Sequence, residues 1–244
     1  MPTQGEIVGS SGTLTGAVFE KLRRELVTGV WRPGERLRAD VLGERYGVGA
    51  SPVREALNRL SAERLVVQLD QRGFRVAPIS RDDLFEITRT RCWIDEIGVR
   101  ESIAHGDETW EEGIILAFHR LVRIQETDVA SGRLSEEWER RHRLFHGALV
   151  GACRSSWLVD FSLSLYDCFD RYRFLSTGAI DADSSRHDGA DREHRALMEA
   201  AVSRRADDAV AMLRQHFTET ANSIARLIDF DSVGPEVTAA ALTR

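Results

Sequence analysis

Apolar residues after Arg81 recur only at helical spacing, and turn-forming residues interrupt the pattern. Gly106, Gly132 and the pair Ser155 and Ser156 lie at three of the interruptions. The pattern predicts helices over 81–105, 109–129, 134–153, 155–178, 188–205 and 207–229. No stretch here alternates apolar and polar residues as a half-buried strand does. The larger part of the chain is therefore predicted to fold as an all-helical bundle.

The region before Arg81 has a different organisation. Its patterns predict helices over 15–28 and 39–46 and strands over 65–69 and 74–77. A third helix is predicted to begin near Ser51 and Pro52, because a serine cap and a proline in the first turn both favour helix initiation. Three helices followed by a hairpin are typical of a winged helix-turn-helix. The fold class is therefore mainly α, with this small domain in front of the bundle.

The composition excludes several classes of protein. An apolar fraction of 42% with 30% charged residues is typical of a globular chain. No stretch approaches the roughly 18 consecutive apolar residues of a membrane span, and the polar N-terminus lacks a signal-peptide core. Three cysteines are too few for a disulfide scaffold and are interpreted as reduced thiols. We expect a cytoplasmic protein without a membrane partner.

The net charge of −6 conceals a division between the two parts of the chain. Residues 1–80 contain 12 Lys and Arg against 9 Asp and Glu, whereas the remainder contains 21 against 30. A mildly basic N-terminal region followed by an acidic remainder is typical of a DNA-binding domain joined to a second domain.

The third helix has a polar face that suits DNA. Ser51, Arg54 and Asn58 lie opposite its apolar residues, and their side chains carry donors that match phosphates and base edges in a major groove. An ordinary solvent-exposed polar face is the alternative interpretation of these three residues.

Three short motifs give the N-terminal region a family resemblance. They are PGERL at 33–37, PVREAL at 52–57 and RGFRVAP at 72–78. With the order of elements, they make residues 15–78 resemble the GntR family of bacterial transcription regulators. In that family the third helix enters the major groove and the hairpin tip reaches the minor groove. The resemblance implies DNA contacts from Ser51 and Arg54, with Arg72 and Gly73 at the wing tip.

The resemblance is imperfect before the third helix. Gly49 and Ala50 stand where many members have a serine or threonine followed by arginine. Asp40 stands where some members place an arginine that contacts DNA, and Arg38 or Arg45 could compensate. One winged helix reads only a half-site, so we expect a homodimer on a palindromic operator in the nucleoid.

Four of the seven histidines have informative spacing. His142 and His146 are four residues apart, so they share a helix face. His194 and His216 lie about equally far from a predicted helix break near Ala206, which places them at one level of an antiparallel hairpin. Four imidazoles from three helices could therefore hold a divalent metal in the bundle core. Unrelated roles as caps, core hydrogen bonds and surface groups are the alternative.

A second resemblance covers the bundle. The words FHGALVGAC at 145–153 and EHRALMEAAVSRRADDAVAMLRQH at 193–216 resemble the FCD ligand-binding domain of the FadR subfamily, over about residues 82–228. Many members bind a metal through Asp-x-x-x-His and two later histidines. His146, His194 and His216 match these histidines, whereas His142 occupies the aspartate position. An imidazole in place of the carboxylate favours zinc or nickel over manganese. A weaker site, or one without metal, is the alternative.

The FCD resemblance implies a small carboxylic acid as effector, which requires a cation in the pocket. Arg91 lies on or beside the inward face of the first FCD helix, and a buried arginine needs an anionic partner. The residues expected to point inward from this helix are Ile87, Ile94 and Val99. An ion pair with Asp95 or Glu86 is the alternative role of Arg91.

A further pattern concerns the identity of the acid. The sequence WxxxH…LYDxxxRYRxLS resembles the branch that regulates glutarate and hydroxyglutarate catabolism, which implies a C5 dicarboxylate. Arg171 and Arg173 are then candidates for its far carboxylate. We expect the near carboxylate to bind at the metal and Arg91.

The predicted organisation is a disordered start (1–13), a winged helix-turn-helix (14–78), an effector- and metal-binding FCD domain (82–229) and a frayed tail (230–244). The alternative function is a metal-dependent enzyme with an accessory DNA-binding head. Such an enzyme needs a general base near the metal. Glu193 is predicted to face away from the site, and no nucleophile elbow, HExxH or phosphate loop is present.

Overall fold

A computed structural model of the chain describes residues 13–69, 73–128, 136–180 and 185–232. The described residues divide into an N-terminal unit, which runs to Ser80 and includes 229–232, and a C-terminal unit of 81–228. The predicted disordered start and frayed tail lie largely outside the described residues. Thr13, at the end of the predicted disordered start, is described as the N-cap of the first helix.

The N-terminal unit contains the predicted three helices and hairpin. Its elements are α1 (Leu14–Val27), β1 (Arg36–Leu37), α2 (Ala39–Tyr46), α3 (Ala50–Ala62), β2 (Val66–Leu69) and β3 (Gly73–Val76). The strands form an antiparallel sheet in the order β1-β3-β2, in which Arg75 lies opposite both Arg36 and Val67. The sequence prediction missed β1 because two residues are too short to show a period of two.

The turn between α2 and α3 requires glycine at two positions. Gly47 ends α2 in the left-handed region at φ 69°. A Cβ on Gly43 would lie 2.8 Å from the carbonyl oxygen of Val48, so only glycine lets the backbone approach so closely. The α3 helix begins at Ala50 with Gly49 as its N-cap, so the predicted serine cap is wrong and Ser51 lies within the first turn.

The C-terminal unit is helical throughout its described residues, as predicted. Its elements are α4 (Arg81–His105), α5 (Glu108–Asp128), α6 (Glu136–Val150), α7 (Ser156–Ile180), α8 (Ser185–Val202) and α9 (Ala206–Leu227). None of the helices in the described part of the chain combines the length and apolar composition of a membrane span. The break between α8 and α9 contains Arg204 in the left-handed region, at φ 59°.

Two helices of the bundle bury charged residues instead of a purely apolar stripe. On α7, every residue from Tyr166 to Arg173 is buried, including Asp170 and Arg173. On α4, the buried face passes through Arg91 and Asp95, whereas Ile87 and Ile94, predicted to point inward, are only half-buried. The interior of the bundle is therefore partly polar, and the candidate site lies in this polar part.

Candidate metal centre and DNA-contacting face

The structure brings together the four histidines with informative spacing. His142 and His146 lie on α6, His194 on α8 and His216 on α9, and all four are buried. One ring nitrogen from each lies within 4.8 Å of those of the others. The Nε2 atom of His142 is 3.0 Å from Nε2 of His194 and 3.1 Å from Nε2 of His146.

The hairpin of α8 and α9 supplies the second pair. Because the chain reverses between Val202 and Ala206, His194 and His216 meet at one level, with ring centroids 4.7 Å apart. Burial lowers the pKa of each cluster histidine, and that of His216 falls to about 3. The four rings are therefore neutral near pH 7, which is the form that ligates a metal.

His216 has the hydrogen bonding of a metal ligand. Its Nδ1 lies 2.8 Å from Oε2 of Glu193, whereas its Nε2 has no hydrogen-bond partner among the described residues. A carboxylate that accepts the Nδ1 proton leaves the lone pair on Nε2, which is the usual arrangement around a ligating histidine. The donor set therefore fits a metal ion at this position.

The prediction that Glu193 faces away from the site is wrong. One residue along a helix does rotate the side chain away from His194. Glu193 nevertheless reaches across to α9, which packs on that side of α8, and its carboxylate contacts the outer nitrogen of His216. The sequence prediction rested on α8 alone and therefore missed this contact between helices.

His142 differs from the other three histidines. Its Nδ1 contacts the hydroxyl of Tyr166 and lies 2.9 Å from Nη1 of Arg173. An arginine only donates hydrogen bonds, so Nδ1 accepts and the proton of the neutral ring lies on Nε2. Ligation through Nε2 requires the opposite tautomer, and therefore requires Arg173 to leave Nδ1. His146, His194 and His216 fit a metal without that change.

Arg91 is fully enclosed and poorly paired. Its guanidinium carbon lies 4.0 Å from the ring centroid of Phe217 and 5.0 Å from those of Tyr166 and Phe169. Its Nε and Nη1 atoms have no hydrogen-bond partner among the described residues. Among those residues it forms no ion pair within 4.0 Å with either Asp95 or Glu86, so the predicted alternative role is not realised.

Arg173 is buried among acids that the sequence analysis did not identify. Its Nη1 lies 3.4 Å from Oε2 of Glu139 and 3.9 Å from Oδ1 of Asp170. Burial raises the pKa of both carboxyl groups, and Glu139 raises that of Asp170 further. Tyr166, Asp170 and Arg173 are spaced i, i+4, i+7, a signal that could have placed them on one face of α7.

Arg171 is also buried on α7. Because it lies two residues from Arg173, it points away from the face that Arg173 shares with Tyr166. None of the hydrogen bonds of the four histidines in the described part of the chain involves Arg171. The structure therefore separates the two arginines that were predicted together.

The proposed DNA-contacting side chains of α3 are exposed. Ser51, Arg54 and Asn58 lie opposite buried Val53 and Leu57. In the described part of the N-terminal unit, Arg54 forms no hydrogen bond or ion pair. Its guanidinium is therefore available to another molecule.

The other predicted DNA contacts are placed differently. Arg38 is held by Asp40 at 2.6 Å, and Arg45 lies 3.6 Å from Glu25. Both candidates to replace the missing arginine are therefore ion-paired. Gly73 is exposed at the start of β3 with φ 85°, whereas Arg72 lies outside the described residues.

Comparisons with known proteins agree with both units. The family model for bacterial regulatory proteins of the gntR family matches residues 14–76, and the FCD domain model matches residues 86–219. The HTH-type transcriptional repressor GlaR of Escherichia coli K12 is 34% identical over 202 residues, which covers 81% of this chain and 90% of GlaR.

A second relative and one solved structure extend the comparison. BphR, an uncharacterized HTH-type transcriptional regulator of Paraburkholderia xenovorans, is 36% identical over 215 residues, or 88% of this chain and 86% of BphR. The structure of E. coli McbR/YncC superposes with a TM-score of 0.75 at 21% identity and covers 88% of this chain and 98% of McbR. At that identity the likeness shows the fold alone.

Proposed function

Because the chain belongs to the GntR family of bacterial transcription regulators and carries an FCD domain, we propose that a small carboxylate bound inside the bundle controls its binding to operator DNA. It is a transcription regulator and not an enzyme. In this proposal it acts as a homodimer on nucleoid DNA in the cytoplasm. The observation that carries the effector proposal is the buried Arg91, whose guanidinium has N–H groups without partners among the described residues. It packs on Tyr166 and Phe217, whose rings also contact His146 of the histidine cluster.

The energetics of Arg91 support an anionic ligand. Removing a charged group from water costs several kcal/mol unless a partner of opposite charge compensates. Asp95 exerts the strongest compensating charge, but burial raises the pKa of Asp95 and so favours its neutral form. A ligand carboxylate would accept from Nη2 together with either Nε or Nη1, in the forked geometry that arginine favours.

A divalent metal would complete the site. His146, His194 and His216 would hold it through neutral imidazoles, and His142 would join them after Arg173 leaves its Nδ1. Nitrogen donors favour zinc or nickel over manganese. When bound, the metal would supply fixed positive charge that attracts carboxylate oxygens.

Two arginines are candidates to bind the two carboxylates of a dicarboxylate. Arg91 has unsatisfied donors, whereas Arg173 is engaged by Glu139, Asp170 and His142. Arg173 could therefore meet a second carboxylate only by exchanging one of these partners. The C5 dicarboxylates glutarate and 2-hydroxyglutarate are proposed from the sequence resemblance alone, and Arg171 is the weakest of the three candidate arginines.

Calorimetry on the metal-loaded protein tests the effector site. We expect heat of binding with at least one of glutarate, 2-hydroxyglutarate, succinate and citrate, and loss of that heat in Arg91→Met. The matched control is Arg120→Met, which removes an exposed arginine from α5. Undiminished heat in Arg91→Met would remove Arg91 from the site, and absence of heat with every acid would reject this ligand class.

Fluorescence anisotropy on DNA from the protein's own upstream region tests the head. Arg54→Ala is expected to weaken binding by about 1–3 kcal/mol if Arg54 contacts a base edge. Arg64→Ala, just after α3, is the control for loss of positive charge alone. Equal effects of the two substitutions would contradict a base contact by Arg54.

A further inference from the structure

The ring of His142 is held in one orientation by side chains of two helices. Trp138, one turn earlier on α6, stacks on its face, with ring centroids 4.6 Å apart and 15° between the ring planes. On α7, the hydroxyl of Tyr166 and Nη1 of Arg173 both contact its Nδ1. The two ring nitrogens therefore have separate environments, and the ring does not exchange them by turning over.

Arg173 decides which of these nitrogens carries the proton. An arginine donates hydrogen bonds and never accepts, whereas a tyrosine hydroxyl does either, so only Arg173 fixes Nδ1 of His142 as an acceptor. Arg173 is itself held, since its Nη1 lies 3.4 Å from Oε2 of Glu139 and 3.9 Å from Oδ1 of Asp170. Its guanidinium carbon lies 5.6 Å from the ring centroid of Trp138, and only 5% of the residue is exposed. The proton of the His142 ring therefore stays on Nε2.

The proton positions of the other three rings follow from this one. Nε2 of His142 lies 3.0 Å from Nε2 of His194 and 3.1 Å from Nε2 of His146. Contacts this short between ring nitrogens need a proton, and because His142 supplies it, the other two Nε2 atoms accept. Glu193 accepts the hydrogen bond from Nδ1 of His216, whose Nε2 also carries a lone pair. The cluster therefore presents three lone pairs and one N–H group.

Three lone pairs and one N–H group suit a metal with an open position. Three imidazoles leave a tetrahedral ion a fourth position for an outside ligand, whereas four imidazoles close the site. Neutral imidazoles also leave the charge of a divalent ion uncompensated, which favours an anion as that ligand. An N–H group beside the open position requires an acceptor, and carboxylate oxygens are strong, charged acceptors.

We propose that His142 is kept from the metal by Arg173 and instead donates its Nε2–H to a carboxylate oxygen at the open position. Arg173 is the positioning residue of this arrangement. Once Arg173 leaves Nδ1, the ring takes the other tautomer, binds the metal through Nε2 and closes the site. The identification of this carboxylate with the effector rests on the proposed function, whereas the tautomer of His142 does not.

Cadmium NMR without any acid counts the ligands. Protein labelled with ¹⁵N-histidine and loaded with ¹¹³Cd is expected to show coupling of the metal to three rings, with His142 uncoupled and protonated at Nε2. Arg173→Met is expected to add the fourth coupling, a change that a merely structural role would not produce. Arg143→Met is the matched control, because Arg143 also links α6 to α7 through an acid, Asp167, at 3.1 Å. Coupling to four rings in wild type would overturn the proposal.

Acetate binding to the cobalt-loaded protein tests the hydrogen bond, because the visible absorption of Co(II) reports a carboxylate at the open position. His142→Leu is expected to keep cobalt and to weaken acetate binding by about tenfold or more, since a hydrogen bond to a charged group is lost. His142→Gln is expected to retain most of the affinity, because its amide also donates. His146→Gln, which removes a ligand, is expected to lose cobalt.

Two results of the cobalt experiment would overturn the proposal. One is loss of cobalt in both His142 variants, which would make His142 a ligand, and the other is undiminished acetate affinity in His142→Leu. Circular dichroism checks that each variant is folded. The count of couplings in wild type and the two His142 variants decide the question even where Arg173→Met does not fold.

Failure of this proposal is distinguishable from failure of the proposed function. If four rings couple to cadmium but glutarate still alters operator binding, the role of His142 is wrong and the regulator proposal stands. If three rings couple and acetate binding depends on His142, but no dicarboxylate alters operator binding, the proposed effector is wrong and the role of His142 stands.

Discussion

The two units of the chain bury different kinds of side chain. In the described part of the N-terminal unit the buried residues are apolar, among them Leu22, Leu57 and Phe74. All the buried charged side chains of the described residues lie in the C-terminal unit, among them Arg91 and Arg173.

Buried charge is a poor way to stabilise a fold, because desolvation offsets most of the attraction between charges. The contrast therefore indicates that the apolar core of the N-terminal unit, the head, is selected for rigidity. The polar interior of the C-terminal unit, the bundle, is selected for binding a ligand.

The largest expected effect is in the apolar core of the head. Leu57 is fully buried on α3, on the side opposite the face proposed to contact DNA. Leu57→Ala removes buried methyl groups and leaves a cavity, which costs about 2–5 kcal/mol. Hydrogen exchange of amides in α1 and α3 measures this loss. Leu116→Ala on the exposed surface of α5 is the control, and a cost as small as that of Leu116→Ala would contradict a rigid apolar core.

The second effect concerns the metal. Glu193→Gln removes the carboxylate that orients His216 but keeps an amide of similar size. Loss of such a supporting group reduces metal affinity by about 10–100-fold. Competition with a chromogenic zinc chelator measures the affinity. Glu199→Gln, on the same helix, is the control, and equal affinities in Glu193→Gln and wild type would remove Glu193 from the support of the metal centre.

The third effect is the part of the pH dependence of stability that arises from histidines, which only the bundle can show because all seven histidines follow residue 80. Burial lowers the pKa of each cluster histidine, so below about pH 6.5 the unfolded state binds protons that the metal-free folded state rejects. Each histidine therefore contributes stability that is complete above this pH and falls by about 1.4 kcal/mol for each unit of acidification.

The buried carboxyl groups act in the opposite direction, because burial raises the pKa of Glu139, Asp170 and Asp95. The effect of a histidine is thus best measured as a difference. His194→Asn should reduce the dependence of the bundle's unfolding free energy on pH between 5 and 6 by about 1.4 kcal/mol per unit. Urea unfolding with chelator present measures it. His119→Gln, at an exposed position, should change nothing, and the same dependence in His194→Asn as in wild type would contradict the account.

The smallest effect is expected at the most buried charge. Arg91→Met replaces a guanidinium that forms no ion pair with the described residues by an apolar side chain of similar length, among the rings of Tyr166, Phe169 and Phe217. We expect the free energy of unfolding to change by less than about 1 kcal/mol, or to rise. Calorimetric melting without ligand measures it. A loss as large as that of Leu57→Ala would show that Arg91 is structural.

Much of this fold follows from local patterns. Helical spacing of apolar residues predicts the helices of both units, and the position of the break between α8 and α9 is enough to place His194 and His216 at one level. These features depend on one helix or on one hairpin. The helical period of 3.6 residues, and the number of residues between each histidine and the turn, therefore suffice to predict them.

The side-chain contacts that build the site could not be obtained in this way. Glu193 reaches His216 because α9 packs on one particular side of α8. Arg91 avoids an ion pair with Asp95, four residues away, although the spacing permits one. Both the contact of Glu193 with His216 and the missing ion pair of Arg91 depend on how the helices pack and on the side-chain rotamers that this packing selects.

The central claim is that the buried charges of the bundle bind a carboxylate that controls the head. The direct measurement is reciprocal linkage: the Kd for operator DNA with and without a saturating dicarboxylate, and the Kd for the dicarboxylate with and without operator. We predict that both change by the same factor, and that Arg91→Met abolishes the change while binding operator as tightly as unliganded wild type. An equal change in Arg91→Met, or a dicarboxylate that binds without altering operator affinity, would contradict the account.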